Sequence, residues 1–211
     1  MTDHRRGLIL DFGGVLTTSV PACLRSFARR EGLPEDAFLH AIGVDPAGRA
    51  LYAELERGAI TQEEWNTGTA ALLGIDGTDL LRRVLLDLRP EPSVIDAVQV
   101  ARRAGIRVGI LSNSLGLRPY NPYQHYDFDQ LYDAVLISEQ HRMRKPDPEI
   151  YRIMVGLMEL PASELVFVDD TAHNLPPAEE LGIATVLAAD PSDTVARVEA
   201  LLGLRLTTGL P

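Results

Sequence analysis

Short, continuous apolar runs recur along the chain, and most of them end in a polar residue. The first run, residues 8–10, leads into Asp11, and the second leads into Ser112. Runs of this kind, without polar alternation, are typical of parallel strands that are buried on both faces of a sheet. We therefore predict five strands, over residues 8–10, 106–111, 134–137, 165–168 and 183–187.

Helical patterns of apolar residues lie between most of these runs. They predict helices before the second, fourth and fifth strands and at the end of the fold, over residues 92–104, 148–158, 177–181 and 194–202. Strands that alternate with helices indicate an α/β fold, in which a doubly wound, Rossmann-like parallel sheet forms the core.

The alternation is interrupted after the first strand, where only helical patterns follow. They predict helices over residues 21–31, 35–42, 47–56, 62–73 and 79–88. Thr61 and Glu64 have the spacing of a capping box at the start of the fourth of these helices. We predict that residues 18–89 form an inserted α-helical cap domain, with Trp65 in its core. Residues 1–17 plus 90–211 are predicted to form the α/β core.

Composition and charge exclude several classes of protein. The chain has 211 residues, of which 45% are hydrophobic and 24% charged, as in ordinary globular proteins. A formal charge of −10 argues against non-specific nucleic-acid binding, which needs a cationic surface. The single cysteine, Cys23, excludes an internal disulfide framework.

No membrane or export signal stands out in the sequence. No stretch approaches the roughly 20 apolar residues that span a bilayer. The apolar residues before Asp11 are too few for the core of a signal peptide. We expect a cytoplasmic protein, a monomer or a homodimer, that binds neither membranes nor nucleic acid.

The residues that could carry chemistry lie at the carboxyl ends of the predicted strands, where open α/β sheets bind ligands. They are Asp11, Ser112, Asn113, Lys145, Asp169 and Asp170. This set indicates phosphoryl transfer. A phosphate dianion repels a nucleophilic carboxylate such as Asp11, and a lysine and a metal ion can neutralise that repulsion. Ser112 and Asn113, with the N–H groups of their turn, can bind phosphoryl oxygens.

The three aspartates also predict a metal ion. If Asp11, Asp169 and Asp170 are brought together, each raises the pKa of the others unless a cation joins them. Mg²⁺ is the expected cation, because it prefers a few carboxylate oxygens together with water and phosphate. The expected partner is therefore a small phosphorylated substrate.

Four motifs in this order resemble those of the haloacid dehalogenase-like hydrolase superfamily, in the subgroup with a helical cap between the first two motifs. The motifs are Asp-Phe-Gly-Gly-Val-Leu-Thr at 11–17, Leu-Ser-Asn at 111–113, Arg-Lys-Pro-Asp-Pro-Glu-Ile-Tyr at 144–151 and Phe-Val-Asp-Asp-Thr-Ala-His-Asn at 167–174. The cap segment 55–65 is also similar to that of the family. The resemblance covers nearly the whole chain.

The resemblance implies catalytic roles for the residues that match. Asp11 would be the nucleophile that forms an aspartyl-phosphate. Ser112 and Asn113 would bind the transferred phosphoryl group, and Lys145 would bridge the nucleophile and the phosphate.

The resemblance also implies a set of metal ligands. Asp11 and Asp170 would bind Mg²⁺ directly, and Asp169 would do so directly or through water. The backbone carbonyl of Gly13 would be a further ligand. Asn174 would support the loop of the fourth motif without touching the substrate.

Gly13 departs from the usual pattern of the superfamily. Most phosphatases of the superfamily carry a second Asp two positions after the nucleophile. It protonates the leaving group and then activates water, a role typically worth about 10²–10⁴-fold. Glycine cannot transfer a proton, so three hypotheses about the activity remain open.

The first hypothesis is a phosphatase that acts on an ester with a good leaving group or uses another source of the proton. The second is a dehalogenase-type or phosphonate-cleaving hydrolase, against which stand the intact Asp169–Asp170 pair and the absence of lysine from residues 18–89. The third is a binding or regulatory protein that has lost catalysis, although its other motifs are complete.

The segment 117–126, rich in proline and tyrosine, directly follows the predicted phosphate-binding turn. It predicts a rigid aromatic loop. Three contacts are possible for it: the substrate, a partner subunit or the cap.

Overall fold

The computed structural model describes residues 4–207, except for the side chain of Asp129, so residues 1–3 and 208–211 of the predicted core lie outside the described residues. The strands are β1 (Gly7–Leu10), β2 (Arg107–Ser112), β3 (Ala134–Ile137), β4 (Leu165–Asp169) and β5 (Ala184–Leu187). The α-helices are α1 (Val20–Arg30), α2 (Ala37–Gly43), α3 (Pro46–Glu56), α4 (Gln62–Leu73), α5 (Leu80–Val84), α6 (Pro92–Arg103), α7 (Phe128–Leu131), α8 (Ser138–His141), α9 (Pro148–Met158), α10 (Pro176–Glu180) and α11 (Pro191–Leu202).

The five strands form one parallel sheet in the order β3-β2-β1-β4-β5. This confirms the predicted doubly wound, Rossmann-like α/β fold. Leu10 at the end of β1 lies opposite Ile110 of β2 on one side and Val168 of β4 on the other. The carboxyl end of β1 is therefore flanked by the carboxyl ends of β2 and β4, and the loops that follow these three strands meet at one edge.

Helices cover both faces of the sheet, as the continuous apolar strands require. Val98 of α6 and Val198 of α11 are buried in the cluster on one face. Met154 of α9 and Ala178 of α10 are buried in the cluster on the other face. Among residues 4–207, no helix is long and apolar enough to cross a membrane.

Helices α1–α5, here called the helical segment, have a hydrophobic core of their own. Trp65 is 1% exposed and packs near Phe38, with ring centroids 6.2 Å apart, which confirms its predicted place in the core of these helices. The capping box of Thr61 and Glu64 is formed at the start of α4.

The chain enters and leaves the helical segment through two adjacent stretches. Thr17 pairs with Pro90 in an isolated antiparallel bridge, and Thr18 N–H donates to Arg89 O at 2.8 Å. The two connections therefore leave the sheet side by side, close to the first turn after β1.

The predicted helix over residues 79–88 is wrong in its second half. The α-helix ends at Val84 and a turn of 3₁₀ helix follows at Leu85–Asp87. Arg30 Nη2 donates to the Arg83 carbonyl at 2.8 Å, so a side chain from α1 binds a backbone carbonyl in the last turn of α5. The apolar spacing does not separate an α-turn from a 3₁₀ turn, because Leu81, Val84 and Leu85 face the same core in both.

Two sets of polar contacts tie the helical segment to the loop after β2 and to α8. Gln62 Nε2 donates to the carbonyls of Leu115 and Tyr120 at 2.9 and 2.7 Å, and Tyr120 N–H donates to Gln62 Oε1 at 3.0 Å. Ser138 Oγ donates to the Glu56 carbonyl at 2.5 Å. Of the three contacts considered for segment 117–126, the one with the helical segment is thus formed.

Candidate active site

The parallel sheet brings the predicted site residues to one edge. Asp11 directly follows β1, Ser112 is the last residue of β2 and Asp169 is the last residue of β4. Because β1 lies between β2 and β4, these three residues are neighbours in space although they are far apart in sequence. All of them line or adjoin a cavity of about 290 Å³ between this edge and the helical segment.

Lys145 joins two of the carboxylates. It is the only lysine in the sequence and is 1% exposed. Its Nζ lies 2.8 Å from Asp11 Oδ1 and 2.6 Å from Asp169 Oδ2. The side chain of Asn113 holds the lysine's backbone, since Oδ1 accepts from Lys145 N–H at 2.8 Å and Nδ2 donates to its carbonyl at 3.2 Å. The phosphate-binding role of Asn113 stays a prediction, to which the structure adds this positioning contact.

The two carboxylates after β4 have different surroundings. Asp169 is fully buried, and its oxygens accept hydrogen bonds from Lys145 Nζ, Thr171 N–H and Asn174 Nδ2. Asp170 is half-buried, and its Oδ1 accepts from the Thr171 hydroxyl at 3.0 Å. Asp170 therefore keeps more free acceptor capacity than Asp169. Asn174, predicted to support the loop, acts on Asp169.

The charges in this cluster do not balance. Burial raises the pKa of Asp11 from 3.8 to about 7; Lys145 lowers it and Asp169 raises it. Burial also raises the pKa of Asp170. Burial alone would lower the pKa of Lys145, but the carboxylates of Asp11 and Asp169 raise it above its ordinary value. Three aspartates around one ammonium leave an excess of negative charge.

The same three aspartates fit a divalent cation. Oxygens of Asp11, Asp169 and Asp170 lie within 4.8 Å of one another. Hard carboxylate oxygens at a half-open site, with room for water and phosphate, are the donor set that Mg²⁺ prefers. The charge of such an ion would offset the excess carried by the aspartates.

The two glycines after Asp11 differ in what surrounds them. A Cβ at Gly13 would lie 3.0 Å from Cγ2 of Val20, the first residue of α1, so the place of the usual second aspartate is bordered by a valine. Gly14 has a φ of +73°, and a Cβ there would lie 2.2 Å from Asp170 Oδ2. Gly14 thus leaves room for Asp170 as well as adopting a left-handed turn.

Gly14→Ala is therefore expected to displace Asp170 and to weaken Mg²⁺ binding at least about 10-fold, as loss of a positioned ligand contact does. The matched control is Gly105→Ala, because Gly105 has a φ of +87° but open space around its Cβ position. Both variants carry the backbone strain, of about 1–2 kcal/mol. Calorimetric titration with Mg²⁺ distinguishes them. Equal Mg²⁺ affinity in the two variants would contradict the close approach of Gly14 to Asp170.

Two contacts at the site were not predicted from the sequence. The Tyr123 hydroxyl lies 2.9 Å from Ser112 Oγ, and burial raises the pKa of this tyrosine to about 12. Glu56 Oε2 lies 2.9 Å from Arg144 Nε, and burial raises the pKa of Glu56 to about 7. The only signals in the sequence were the aromatic segment after Ser112 and the position of Arg144 beside Lys145.

The chain is similar to several known proteins. The family model of the haloacid dehalogenase-like hydrolases matches residues 6–182. Acyl-CoA dehydrogenase family member 10 of Mus musculus is 33% identical over 120 residues, which are 57% of this chain and 11% of that protein, so the chain matches only a small part of its length. Sesquiterpene phosphatase astK of Aspergillus oryzae is 25% identical over 203 residues, 94% of this chain and 97% of that protein.

The fold is also shared with solved structures. A HAD family enzyme of Bacteroides thetaiotaomicron, in complex with magnesium and inorganic phosphate, superimposes with a TM-score of 0.66 at 22% identity. The match covers 86% of this chain and 93% of that one. With a family model that spans most of the chain and a sheet that carries its motifs at one edge, the chain belongs to the haloacid dehalogenase-like hydrolases.

Proposed function

We propose that this hydrolase is a Mg²⁺-dependent phosphatase that acts on a small phosphorylated metabolite through an aspartyl-phosphate at Asp11. The observation that carries the proposal is the contact between Lys145 Nζ and Asp11 Oδ1, at 2.8 Å, at the base of the cavity. A fixed ammonium beside a nucleophilic carboxylate lowers the electrostatic cost of bringing a phosphate to it. The phosphatase relative and the magnesium- and phosphate-bound neighbour support the same chemistry.

In the first half-reaction, an oxygen of Asp11 attacks phosphorus. The bond between phosphorus and the ester oxygen breaks, and its electron pair goes to the leaving alcohol. Lys145, the Ser112 hydroxyl and the N–H groups of the turn at Asn113 offset the charge on the phosphoryl oxygens. Gly13 has no proton to give, so the leaving oxygen takes its proton from water.

In the second half-reaction, water attacks the phosphorus of the aspartyl-phosphate. The bond between phosphorus and the Asp11 oxygen breaks, which restores the carboxylate, and the water's proton passes to solvent. Lys145 then pairs again with Asp11. The lack of a general base at position 13 slows this step as well.

Asp11, Asp170 and the backbone carbonyl of Gly13 would hold Mg²⁺ directly. Asp169 would act through water, because Lys145, Thr171 and Asn174 already donate to its oxygens. When bound, the ion supplies positive charge that offsets the aspartates and the phosphate.

The helical segment would act as the cap, over residues 18–89, with residues 1–17 plus 90–211 as the catalytic core. Its side chains close the cavity over Asp11. A cap in this place excludes bulk water from the reaction and contacts the part of the substrate beyond the phosphate.

The proposal is tested by measuring phosphate release from a panel of phosphate monoesters and acyl phosphates, with Mg²⁺ and with a chelator. We expect turnover that needs Mg²⁺, and mass spectrometry of acid-quenched samples should find phosphate on Asp11. Turnover that is indifferent to chelation, or no release from any member of the panel, would overturn the proposal.

The glycine at position 13 predicts a steep dependence on the leaving group. Because no side chain replaces the missing acid there, kcat/KM of the wild type should fall sharply as the pKa of the leaving alcohol rises. Gly13→Asp combined with Val20→Ala, which opens the space that a Cβ needs, should flatten this slope. For alkyl esters we expect a gain of up to about 10²-fold.

The control for this gain is Gly13→Asn with Val20→Ala, which has the same shape but no ionisable proton. A series of aryl and alkyl phosphates provides the range of leaving groups. Equal slopes in the wild type and in the aspartate variant would show that another group already protonates the leaving oxygen.

A further inference from the structure

The wall of the cavity opposite Asp11 is apolar. The helical segment and the turn that follows it line the cavity with aliphatic side chains, and only Tyr52 and Glu56 add polar atoms from them. The main aliphatic residues are Val20, Leu24, Leu39, Ile42, Leu85 and Leu88. Several of them pack against the core around Phe27 and Trp65, so this wall is a continuous part of that core.

The arginine and the lysine that line the cavity are already paired. Arg144 lies 2.9 Å from the buried carboxylate of Glu56, and Lys145 is shared by Asp11 and Asp169. Among residues 4–207, the cavity therefore has no arginine or lysine to spare for a second anionic group of a substrate. A carboxylate or a second phosphate placed against the aliphatic wall would be buried without a partner, which is costly.

Two polar side chains near the phosphate position, those of Ser112 and Asn113, are also engaged. Both amide atoms of Asn113 bind the backbone of Lys145, and the Ser112 hydroxyl is paired with that of Tyr123. The hydroxyl groups of a sugar directed at the helical segment would face aliphatic side chains. Each would lose hydrogen bonds to water and gain few from the protein.

We propose that the part of the substrate beyond the phosphate is an uncharged apolar group, so that the enzyme favours hydrophobic phosphate monoesters over sugar phosphates and over esters with a second anion. This inference rests on the proposed phosphatase function and specifies its substrate class. An aryl group meets both demands of the site. It fits the apolar wall, and as a phenolate it leaves with less need for the acid that Gly13 lacks.

The test uses aryl phosphates that differ in apolar size but little in leaving-group acidity. Phenyl, 4-methylphenyl and 4-propylphenyl phosphate form the series, and 4-(2-carboxyethyl)phenyl phosphate has a similar length but carries a charge. Each buried methylene is worth about fourfold, so kcat/KM should rise by about 10-fold or more from phenyl to 4-propylphenyl. The carboxylate analogue and glucose 1-phosphate should fall below phenyl phosphate.

A variant of the wall provides a second measurement. Leu39→Gln should lower the ratio of kcat/KM for 4-propylphenyl over phenyl phosphate several-fold. Leu72→Gln is the matched control, because Leu72 is 43% exposed on α4 and does not line the cavity. It should leave the ratio unchanged.

The outcomes distinguish this inference from the function on which it rests. Mg²⁺-dependent turnover of phenyl phosphate with no gain from the propyl group, or with faster turnover of the carboxylate analogue or of glucose 1-phosphate, overturns the apolar substrate class and leaves the phosphatase standing. No Mg²⁺-dependent turnover of any ester overturns both.

Discussion

Asp11→Asn is expected to abolish phosphate release, by on the order of 10⁴-fold or more, as loss of a covalent nucleophile does in other hydrolases. The asparagine keeps the shape of the side chain but cannot form the acyl phosphate. It also removes one of the ligands proposed for Mg²⁺. Steady-state assays with the best ester of the panel, together with acid-quench mass spectrometry, measure the loss.

The same change is not expected to unfold the protein. Asp11 lies close to two other carboxylates, Asp169 and Asp170, and Lys145 still pairs with Asp169 when Asp11 is replaced, so removal of one carboxylate reduces repulsion in the metal-free cluster. Thermal unfolding without Mg²⁺ should therefore show a Tm no lower than that of the wild type. Asp96→Asn, at an exposed position on α6, is the matched control and should change neither activity nor Tm. Activity that survives in Asp11→Asn rules out the aspartyl-phosphate mechanism.

Lys145→Met is expected to cost both activity and stability. Methionine has a similar length but no charge, so Asp11 and Asp169 would be left buried with no cation beside them. Breaking a buried ion pair from one side typically costs about 3–5 kcal/mol. Urea unfolding in the absence of Mg²⁺ measures this cost, and phosphate-release assays measure the loss of activity.

The pH at which Lys145→Met is compared with the wild type follows from the pKa of Lys145. That pKa is raised in the folded protein, so the lysine's contribution is present below the unfolded value of about 10.4 and is lost as pH rises through the folded value. Asp11 carries its full charge only above its own raised pKa of about 7. The whole effect should therefore be seen between about pH 8 and 10.

A double variant separates the effect of the lost charge from the effect of the changed side-chain shape. Lys145→Met with Asp169→Asn has the same net charge in the cluster as the wild type. This double variant should regain part of the stability but no activity. A single variant as stable as the wild type would show that the aspartates do not depend on the lysine for compensation.

The sheet could be predicted because each strand carries its own signal. Continuous apolar runs that end in Asp11, Ser112 or Asp169 indicate burial on both faces, and with helices between the runs a parallel sheet provides it. Two helices were also predicted at their observed bounds, α4 and α9, because a capping box and an Asp-Pro pair mark where they begin.

The shortest helices carry no apolar run or capping motif that marks them in the sequence. The one-turn helices α7 and α8 were not predicted, because a single turn has little stability of its own. Ser138, the first residue of α8, donates to the carbonyl of Glu56 and accepts from Ser114 N–H, so its surroundings are set by residues distant in sequence. Local sequence pattern does not encode contacts of this range.

The contacts of the candidate site likewise fall into those that the sequence predicts and those that it does not. Asp11, Lys145, Asp169 and Asp170 were predicted to meet, and the structure brings them together because strand order fixes where their loops lie. The contacts Tyr123–Ser112 and Glu56–Arg144 depend on how a loop and a helix end turn their side chains inward. Neither the apolar pattern nor the motifs specify those orientations.

Because Lys145 is buried and is the single lysine of the sequence, its chemical labelling reports how often the active site opens. Lys145 is 1% exposed, so an amine-selective reagent reaches it only when the site opens. Under conditions where closing is faster than labelling, the labelling rate gives the population of the open state. Mass spectrometry of this one labelled side chain can thus follow the opening of the site around Asp11 and its suppression by Mg²⁺ or phosphate.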